Sequence, residues 1–239
     1  MEVLPLKSQR LQSGSELVSA VVQALERANL KLRSGDILVI ASKVLAYSQG
    51  RLRSVASDEV FRELIRSEAD RVLEEGDMVL TMKNKVLIPN AGIDRSNVPE
   101  GQAVLWPDDP FGSAENIRKE LMDEFGLGQF GIVISDSHCQ PLRMGTSGIA
   151  IGWAGIMGVR DDRGAKDLYG RKMVYTQVAV SDNLASAANL EMGETDASVP
   201  FVLIRDAKVS YTNKPASAED YFISPGECLY RGLYNEKIS

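Results

Sequence analysis

The stretch IPNAGIDRSNVPEG, residues 88–101, carries polar side chains of the kinds that bind ligands. It places Asn90, Asp94, Ser96 and Asn97 within eight residues, directly after the apolar run KVLI. Such small polar residues do not suit a buried strand, and the stretch has few of the lysines and glutamates of an ordinary surface loop. Carboxylate, amide and hydroxyl oxygens suit a hard cation such as Mg²⁺ or Mn²⁺, which commonly shares them with substrate phosphates.

A second carboxylate stands at the end of another apolar run. Asp136 follows GIVIS and is itself followed directly by Ser137. Together with Asp94, it could hold a divalent cation at the mouth of a sheet. The alternative is that both aspartates only cap turns or helices, as Asp commonly does, and the residues alone leave that alternative open.

Basic side chains near glycines supply the complementary chemistry. Lys43 and Arg51 follow a predicted buried strand in ASKVLAYSQGR, and Arg143 stands close to glycine in PLRMGTSGIAIG. Four more basic residues lie in VRDDRGAKDLYGR: Arg160, Arg163, Lys166 and Arg171. Backbone amides of glycine-bearing loops, together with Arg or Lys side chains, can bind phosphates and carboxylates. The residue types thus indicate a metal-assisted site for an anionic ligand.

Missing motifs exclude several other kinds of site. The chain has no G-x-x-x-x-G-K-[ST], no G-x-G-x-x-G after a strand and no G-x-S-x-G. His138 is the only histidine, which excludes a His-rich metal site, and any Ser-His-Asp triad would have to use it. Two cysteines, Cys139 and Cys228, are too few for a disulfide scaffold, and no C-x-x-C pair indicates zinc.

Bulk properties predict a cytoplasmic protein without a nucleic-acid or membrane partner. The net charge is −6, which argues against a broad surface for nucleic acids or anionic membranes. The start MEVLPLKSQR has no apolar signal region. No apolar run approaches the roughly 20 residues that a membrane span needs.

The elements that must position these residues alternate irregularly between helix and strand. Apolar residues at helical spacing predict helices over residues 13–30, 58–76, 113–126, 182–192 and 224–234. Apolar runs and turn residues predict strands over residues 36–42, 130–137, 149–155, 173–180 and 199–205, and a hairpin over residues 77–90. This order favours an α+β fold with mixed or antiparallel sheets and flanking helices. We predict a single domain over residues 1–239; two subdomains are the alternative, and the sequence marks no boundary between them.

Capping residues set the predicted helix ends. Ser13 with Glu16 forms a capping-box pattern before the first helix, and Ser113 is the predicted cap of the third helix. Gly76 and Gly126 are the predicted ends of the second and third helices.

Four segments carry motifs of a known enzyme family. NAGIDRSNV, ISDSHCQPLRMGTSGIAIGWAGI, KDLYGR and VSDNLASAANLEMGE follow one another along the chain. Taken together, they resemble the coenzyme F420-0:L-glutamate ligases, the γ-glutamyl ligases that extend a deazaflavin coenzyme precursor. The first segment matches the family's N-A-G-I-D-x-S-N-V throughout. The resemblance runs from SGDILVIASKV to VPFVLIR, which is most of the chain.

The resemblance implies a GTP-dependent and divalent-metal-dependent ligase that works as an intertwined homodimer. Its cofactor would be Mg²⁺ or Mn²⁺, and it would join L-glutamate to the carboxylate of a precursor of the F420-0 type. Matching motif positions imply these roles: Asp94, Asp136 and Ser137 bind metal; Ser42, Lys43 and Asn97 contact the nucleotide; Glu194 belongs to the phosphate and metal segment; and Arg143 acts with the two aspartates in catalysis.

The implied chemistry suits these residue types. A carboxylate does not react with an amine at neutral pH, because the leaving oxide is poor. Phosphorylation of the acceptor carboxylate by GTP gives an acyl phosphate, from which the glutamate amine displaces phosphate. Phosphoryl transfer needs metals and cations placed where charge develops, and it needs no nucleophilic side chain.

Four positions depart from the family pattern near the anionic substrates. The family reads K-V-x-S-K-x-E-G-R, and this chain has Tyr47 and Gln49 in place of the second Lys and the Glu. Cys139 and Gln140 replace a Gly-Arg pair in a later loop. We expect these four residues to line one pocket that favours a flat ring over a phosphate. A folate-type acceptor is therefore one alternative, and a nucleotide- or metal-binding protein without ligase activity is another.

His138 allows two interpretations. It directly follows the Asp136–Ser137 pair, so it could face the substrate and titrate during catalysis. The alternative is a loop histidine that makes one hydrogen bond, and we prefer that alternative.

Overall fold

The computed structural model describes residues 1–233 and has an α+β fold. In chain order its elements are β1 (Glu2–Leu6), α1 (Leu17–Arg27), β2 (Asp36–Ala41), α2 (Ser42–Ser48), β3 (Leu52–Ser54), α3 (Asp58–Glu68), β4 (Arg71–Glu74), β5 (Leu80–Lys83), β6 (Val86–Pro89), β7 (Gln102–Val104), α4 (Pro110–Phe125), β8 (Phe130–Cys139), β9 (Thr146–Ala154), β10 (Val159–Asp161), β11 (Gln177–Ala179), α5 (Val180–Met192) and β12 (Phe201–Arg205). The predicted fold class is confirmed. In the described part of the chain, no helix has the length and apolar character needed to cross a membrane.

Five strands form the central sheet in the order β1-β12-β2-β8-β9. Strands β2 and β8 are parallel, and the other neighbours are antiparallel. Leu38 and Ile40 of β2 face a core built with α1 and α4, whereas Ile37 and Val39 face a second core built with α5. All four side chains are fully buried. Because helices cover both faces, β2 is apolar over most of its length and does not alternate with polar residues.

A third core lies beside the central sheet and holds the segment that follows β6. It is formed by the sheet β4-β5-β6, the pair β3-β7 and helix α3. Phe61 and Ile65 of α3 pack there with Ala91, Ile93 and Leu105. This packing fixes the backbone of the chain on both sides of the polar stretch that begins at residue 90.

The helix predicted over residues 58–76 is wrong in its second half. Helix α3 ends at Glu68 and not at the predicted Gly76, and the chain then forms strand β4, which pairs with β5. Val72 and Leu73 are both apolar, so their local pattern fits a helix or a strand. Pairing with β5 decides between the two, and that partner is not visible in the local sequence.

Two predicted helix caps are also wrong. Helix α1 begins at Leu17, and its N-cap residue Glu16 makes no side-chain capping bond, so the capping box with Ser13 is not formed. Helix α4 is capped by Asp109 rather than Ser113, because the Asp109 side chain accepts a hydrogen bond from the N–H of the third residue of that helix. Proline at the first helical position extends α4 toward its N-terminus.

The remaining strand predictions are confirmed, except that one strand is shorter than predicted. The hairpin predicted over residues 77–90 is confirmed as β5 and β6, and the other predicted strands match β2, β8, β9 and β12. Of the strand predicted over residues 173–180, only the three residues of β11 pair, with β10. Helix α5 begins at Val180, so this residue is helical and not the end of the predicted strand.

The helix predicted over residues 224–234 is wrong for its described part. That part forms two short 3-10 turns, Pro225–Glu227 and Arg231–Leu233. Leu229 is 85% exposed, so the segment offers no apolar face that packs on the core and stabilises a longer helix. Tyr234 lies outside the described residues.

Candidate active site

A cavity of about 480 Å³ opens at one edge of the central sheet. It lies among the ends of β2 and β8, the loop after β6, the residues after β7 and α5, and the N-terminal segment 8–11. Its lining includes seven of the predicted site residues: Ser42, Lys43, Asp94, Asn97, Asp136, Ser137 and Glu194. The structure therefore brings together motifs that are separated by up to about 150 positions in the sequence.

The parallel pairing of β2 with β8 sets the position of two cavity segments. Ala41, the last residue of β2, pairs with Ser135 of β8. Ser42 and Asp136 are the next residues along these two segments, so they stand side by side at the same edge. The carboxyl ends of parallel strands meet at one edge of a sheet, which is the usual place for a ligand in such sheets.

The conformation of the loop after β6 is set by Asn90 and Gly92. The side-chain oxygen of Asn90 accepts a hydrogen bond from the N–H of Val79 at 3.0 Å, and Asn90 does not line the cavity. Gly92 has a φ of +72°, and a Cβ at this position would lie 2.0 Å from the ring of Trp106. Asn90 and Gly92 thus serve the loop's conformation and leave the chemistry to the residues that follow.

Asp94 is held by hydrogen bonds to its backbone and to both carboxylate oxygens. Its backbone exchanges hydrogen bonds of 3.0 and 2.9 Å with Val104. Its Oδ2 lies 2.6 Å from Lys43 Nζ and 2.7 Å from Ser96 Oγ, and its Oδ1 accepts the Ser96 N–H at 2.7 Å. Partial burial alone would raise the pKa of Asp94, but the hydrogen bonds from Lys43 and Ser96 outweigh burial and lower the pKa. Asp94 is therefore a carboxylate at neutral pH.

Asp136 has the opposite electrostatic setting, although it lies at the same edge. Burial raises the pKa of Asp136 to about 7. The hydrogen bond from the Ser137 N–H, at 2.8 Å, and that from the Ser42 hydroxyl oppose this rise, as does the charge of Lys43. The negative charge of Asp94 raises the pKa of Asp136 further. A cation bound between the two carboxyl groups would stabilise the charged form of Asp136.

The donor set fits a hard divalent cation that shares its ligands with a substrate. Within residues 1–233, no group of three or more His, Cys, Asp or Glu side chains could enclose a metal ion. At the edge formed by β2 and β8, the cavity is lined by the carboxyl groups of Asp94 and Asp136 and by the hydroxyls of Ser42 and Ser137. Mg²⁺ commonly uses one or two carboxylates, keeps several waters and takes its remaining ligands from phosphates. The predicted metal site stays a prediction that this donor set fits.

A hydrogen bond joins the loop after β6 to the segment after α5. The Asn97 side-chain amide donates a hydrogen bond to the Thr195 carbonyl at 2.9 Å. The Glu194 Oε1 accepts hydrogen bonds from Asn189 Nδ2 at 3.0 Å and from the Thr146 hydroxyl at 3.1 Å. The wall that contains Asn97 and Glu194 is thus built from the loop after β6, the segment after α5 and the start of β9.

Sequence comparison assigns a family to the chain that carries this cavity. The family model described as F420-0:Gamma-glutamyl ligase matches residues 5–206. The chain belongs to this ligase family. The resemblance read from the motifs is thereby confirmed, and the matched residues include every segment that lines the cavity.

Curated relatives support the same assignment. A Coenzyme F420:L-glutamate ligase from Methanothermobacter thermautotrophicus is 35% identical, over 81% of this chain and 83% of the relative. The protein of the same name from Methanopyrus kandleri is 32% identical over 97% of both chains. The one from Methanocaldococcus jannaschii is 37% identical over 78% of this chain and 81% of the relative.

Arg143, the eighth predicted site residue, does not line the cavity of this ligase-family chain. It lies in the exposed loop 140–145 between β8 and β9, where its N–H donates a hydrogen bond to the Gln140 carbonyl. The arginines near the D-L-Y-G-R motif do not line the cavity either. Each pairs with an aspartate close to it in sequence: Arg160 with Asp162, Arg163 with Asp161, and Arg171 with Asp167. Arg143 and these three arginines are thus not among the residues that line the cavity.

The four departures from the family pattern do not line one pocket, so that expectation is wrong. Only Tyr47 lines the cavity. The Gln49 side chain donates to the Asp108 carbonyl and accepts the Asp108 N–H, both at 2.8 Å. Cys139 and Gln140 are exposed at the end of β8. Strand β8 runs past the cavity edge to pair with β9, and this continuation carries both residues away.

His138 follows the preferred interpretation. Its Nδ1 lies 3.0 Å from the carbonyl oxygen of Ser147 on the paired strand β9, and the residue does not line the cavity. His138 lies two residues further along β8 than Asp136, where the strand pairs with Ser147 of β9 beyond the residues that line the cavity.

Two cavity residues carried no signal that sequence analysis used. Arg10 lines the cavity from the segment after β1, and Trp106 lines it from the segment after β7. Trp106 is 2% exposed and packs on Gly92. Arg10 belongs to no motif, and only its place between β1 and the first helix could have drawn attention to it.

Proposed function

We propose that this chain is a γ-glutamyl ligase that joins L-glutamate to a carboxylate of a coenzyme precursor of the F420-0 type, with GTP as phosphoryl donor and Mg²⁺ or Mn²⁺ as cofactor. One observation carries the proposal. Three of the four family motif segments reach one cavity, in which the carboxyl groups of Asp94 and Asp136 lie with Lys43, Ser42 and Asn97. The names of the curated relatives support the substrate.

The proposed reaction has two steps that balance. In the first step, an oxygen of the acceptor carboxylate attacks the γ-phosphorus of GTP, the bond to the β-phosphate oxygen breaks, and GDP leaves. In the second step, the uncharged amine of glutamate attacks the acyl carbon, the bond to the phosphate oxygen breaks, and phosphate leaves while the nitrogen loses a proton. The products are the γ-glutamyl amide, GDP and phosphate. The barrier of the first step is lowered by positioned charge, as in other phosphoryl transfers.

The residues of the cavity have separate tasks in this proposal. Asp94, Asp136 and Ser137 are the residues that would hold the cation. The cation would supply neutralisation of the phosphate oxygens. Lys43 keeps Asp94 ionised and oriented through its contact of 2.6 Å, and it presents a positive charge beside the phosphates. Asn97 and Glu194 shape the opposite wall.

We also propose that the chain forms a homodimer, and an exposed apolar arm, residues 162–176 between β10 and β11, supports this. Leu168 is 101% exposed and Tyr175 is 89% exposed. Asp167 of the D-L-Y-G-R motif accepts the N–H groups of Tyr169 and Arg171 at 2.9 and 2.8 Å, so it fixes the turn that presents these side chains. A second copy of the chain would bury them.

The homodimer is tested by light scattering after gel filtration. The arm variant Leu168→Ser with Tyr175→Ser should elute as a monomer, whereas the wild type elutes as a dimer. Leu229→Ser is the matched control, because Leu229 is equally exposed and lies outside the arm. A wild-type monomer, or a double variant that stays dimeric, would count against an arm-mediated dimer.

The activity is tested by a turnover assay with a panel of substrates. Protein, GTP or ATP, MgCl₂ or MnCl₂ and L-glutamate are incubated with F420-0 or with tetrahydrofolate, and nucleoside diphosphate and product mass are measured. The proposal expects GDP release coupled to a product one glutamyl residue heavier, with F420-0. A product from tetrahydrofolate alone would reassign the acceptor. No nucleotide turnover under any condition would favour a binding protein without ligase activity.

A further inference from the structure

The N-terminal segment 8–11 forms a fixed part of the cavity wall. The N–H of Ser8 donates to the Ser198 carbonyl at 3.0 Å, which ties the segment to the wall after α5. The N–H of Gly14 donates to the Tyr47 carbonyl at 3.0 Å, which ties it to α2. Arg10 lies between these two anchors, and it lines the same cavity as Tyr47.

The charges of the cavity lining leave one cation uncommitted. The basic residues in the lining are Arg10 and Lys43, and the acidic residues are Asp94, Asp136, Glu194 and Asp196. The Lys43 ammonium is engaged, because it contacts Asp94 Oδ2, the Ser96 hydroxyl at 2.9 Å and the Ser96 carbonyl at 3.1 Å. The Arg10 guanidinium makes no hydrogen bond or ion pair with any residue that the structure describes.

Tyr47, one of the departures from the family pattern in KVLAYSQGR, lines the cavity together with Arg10. The family pattern has a Lys at this position of α2, and Tyr47 brings no positive charge. Burial raises the pKa of Tyr47, and the positive charge of Arg10 opposes that rise, which places the two side chains within electrostatic reach of each other. The Tyr47 hydroxyl also points to the carbonyl of Asn97 at 3.5 Å, so it lies beside the loop after β6.

We propose that Arg10 binds the phosphate groups of the nucleotide and supplies, from the N-terminal segment, the positive charge that α2 lacks at position 47. This inference rests on the proposed function and names a binding residue for it. A guanidinium presents two parallel N–H donors that match two phosphate oxygens, which a lysine ammonium cannot do in the same way. An arginine on the N-terminal segment can thus bring to the cavity a positive charge that Tyr47 on α2 does not bring.

The test is calorimetric titration of the protein with GTP, GDP and guanosine in the presence of MgCl₂. Arg10→Ala should weaken GTP binding roughly tenfold to hundredfold, since one charge-assisted contact to phosphate is lost. It should leave the binding of guanosine unchanged, because guanosine has no phosphate. Lys7→Ala is the matched control: Lys7 is an exposed cation three positions away that does not line the cavity, and its removal should leave GTP binding as in the wild type.

A charge-exchange variant makes the test specific. Arg10→Ala combined with Tyr47→Lys should regain most of the lost GTP affinity, because it restores the cation on α2. GTP binding by Arg10→Ala equal to wild type, an equal loss for guanosine, or no recovery in the double variant would each overturn the inference. Wild-type protein that binds neither GTP nor ATP would instead overturn the proposed function, and the inference with it.

Discussion

The cavity edge and the arm both carry family motifs, but the fold treats them in opposite ways. At the cavity edge, Asp94 and Asp136 come from distant segments and are placed by buried strands and a packed loop. In the arm, Asp167 bonds only to its own turn, and the apolar side chains beside it stand in solvent. A motif residue can thus take part in ligand binding or stabilise a local turn, and the presence or absence of a buried framework around it distinguishes the two roles.

The largest effect that this comparison predicts is on turnover. Asp94→Asn and Asp136→Asn should each lower the rate of nucleotide-dependent product formation at least about a hundredfold, because a charged ligand for the cation is lost. Asp162→Asn in the arm should stay within about twofold, since its exposed pair with Arg160 contributes little. The rates are compared in the coupled assay, with circular dichroism as the check on folding. Near-normal rates in both cavity variants would sink the assignment of the site.

The next effect concerns backbone strain and packing. Gly92→Ala should reduce the free energy of unfolding by about 3 kcal/mol or more, because its Cβ would meet the Trp106 ring and its φ is positive. Gly170→Ala in the arm has a φ of +79° with nothing near its Cβ, so about 1 kcal/mol is expected. Urea unfolding of the two variants measures the difference. Equal losses would mean that the loop after β6 adapts as freely as the arm.

Much of this contrast could be predicted from the sequence. The runs around Ile37 and Ile132 are apolar throughout, so buried strands were predictable, and polar residues at their ends indicated a site. The parallel pairing of β2 with β8 was not predictable, because it depends on which strands meet across more than 90 positions. The same limit applies to Val72 and Leu73, whose apolar pattern fits a helix until their partner strand is known.

The placement of single side chains was less predictable. Arg143 follows the same strand as Asp136, yet β8 continues to Cys139 and carries the loop 140–145 away from the cavity. Arg10 lies in a segment without periodicity or motif, and only the three-dimensional packing of that segment against α2 brings it to the site.

A smaller effect, on thermal stability, is expected at Asp136 and not at Asp94 in metal-free protein. The pKa of Asp136 is raised to about 7 by burial, so the folded state keeps a proton that the unfolded state releases above about pH 4. Stability is therefore lost as pH rises from about 4 to about 7. Asp136→Asn should melt at a higher temperature than wild type at pH 8 in chelator, and this difference should shrink at pH 5. A difference of the same size at both pH values would contradict the raised pKa.

The smallest effect is expected at His138. His138→Ala should change turnover by less than about twofold and leave the pH–rate profile unaltered, because the ring contacts the Ser147 carbonyl and not the cavity. The profile is measured from pH 5.5 to 8.5 with saturating substrates. Loss of a limb near pH 6.5 in the variant would return His138 to the catalytic residues.

The central claim is that the cavity at the ends of β2 and β8 binds the cation together with the nucleotide. Electron paramagnetic resonance of Mn²⁺, titrated into protein with GTP, measures this directly without any acceptor. The account predicts that wild type and Asp162→Asn bind Mn²⁺ alike, and that Asp94→Asn and Asp136→Asn each bind it at least about tenfold more weakly. Unchanged Mn²⁺ binding in both cavity variants would contradict the account.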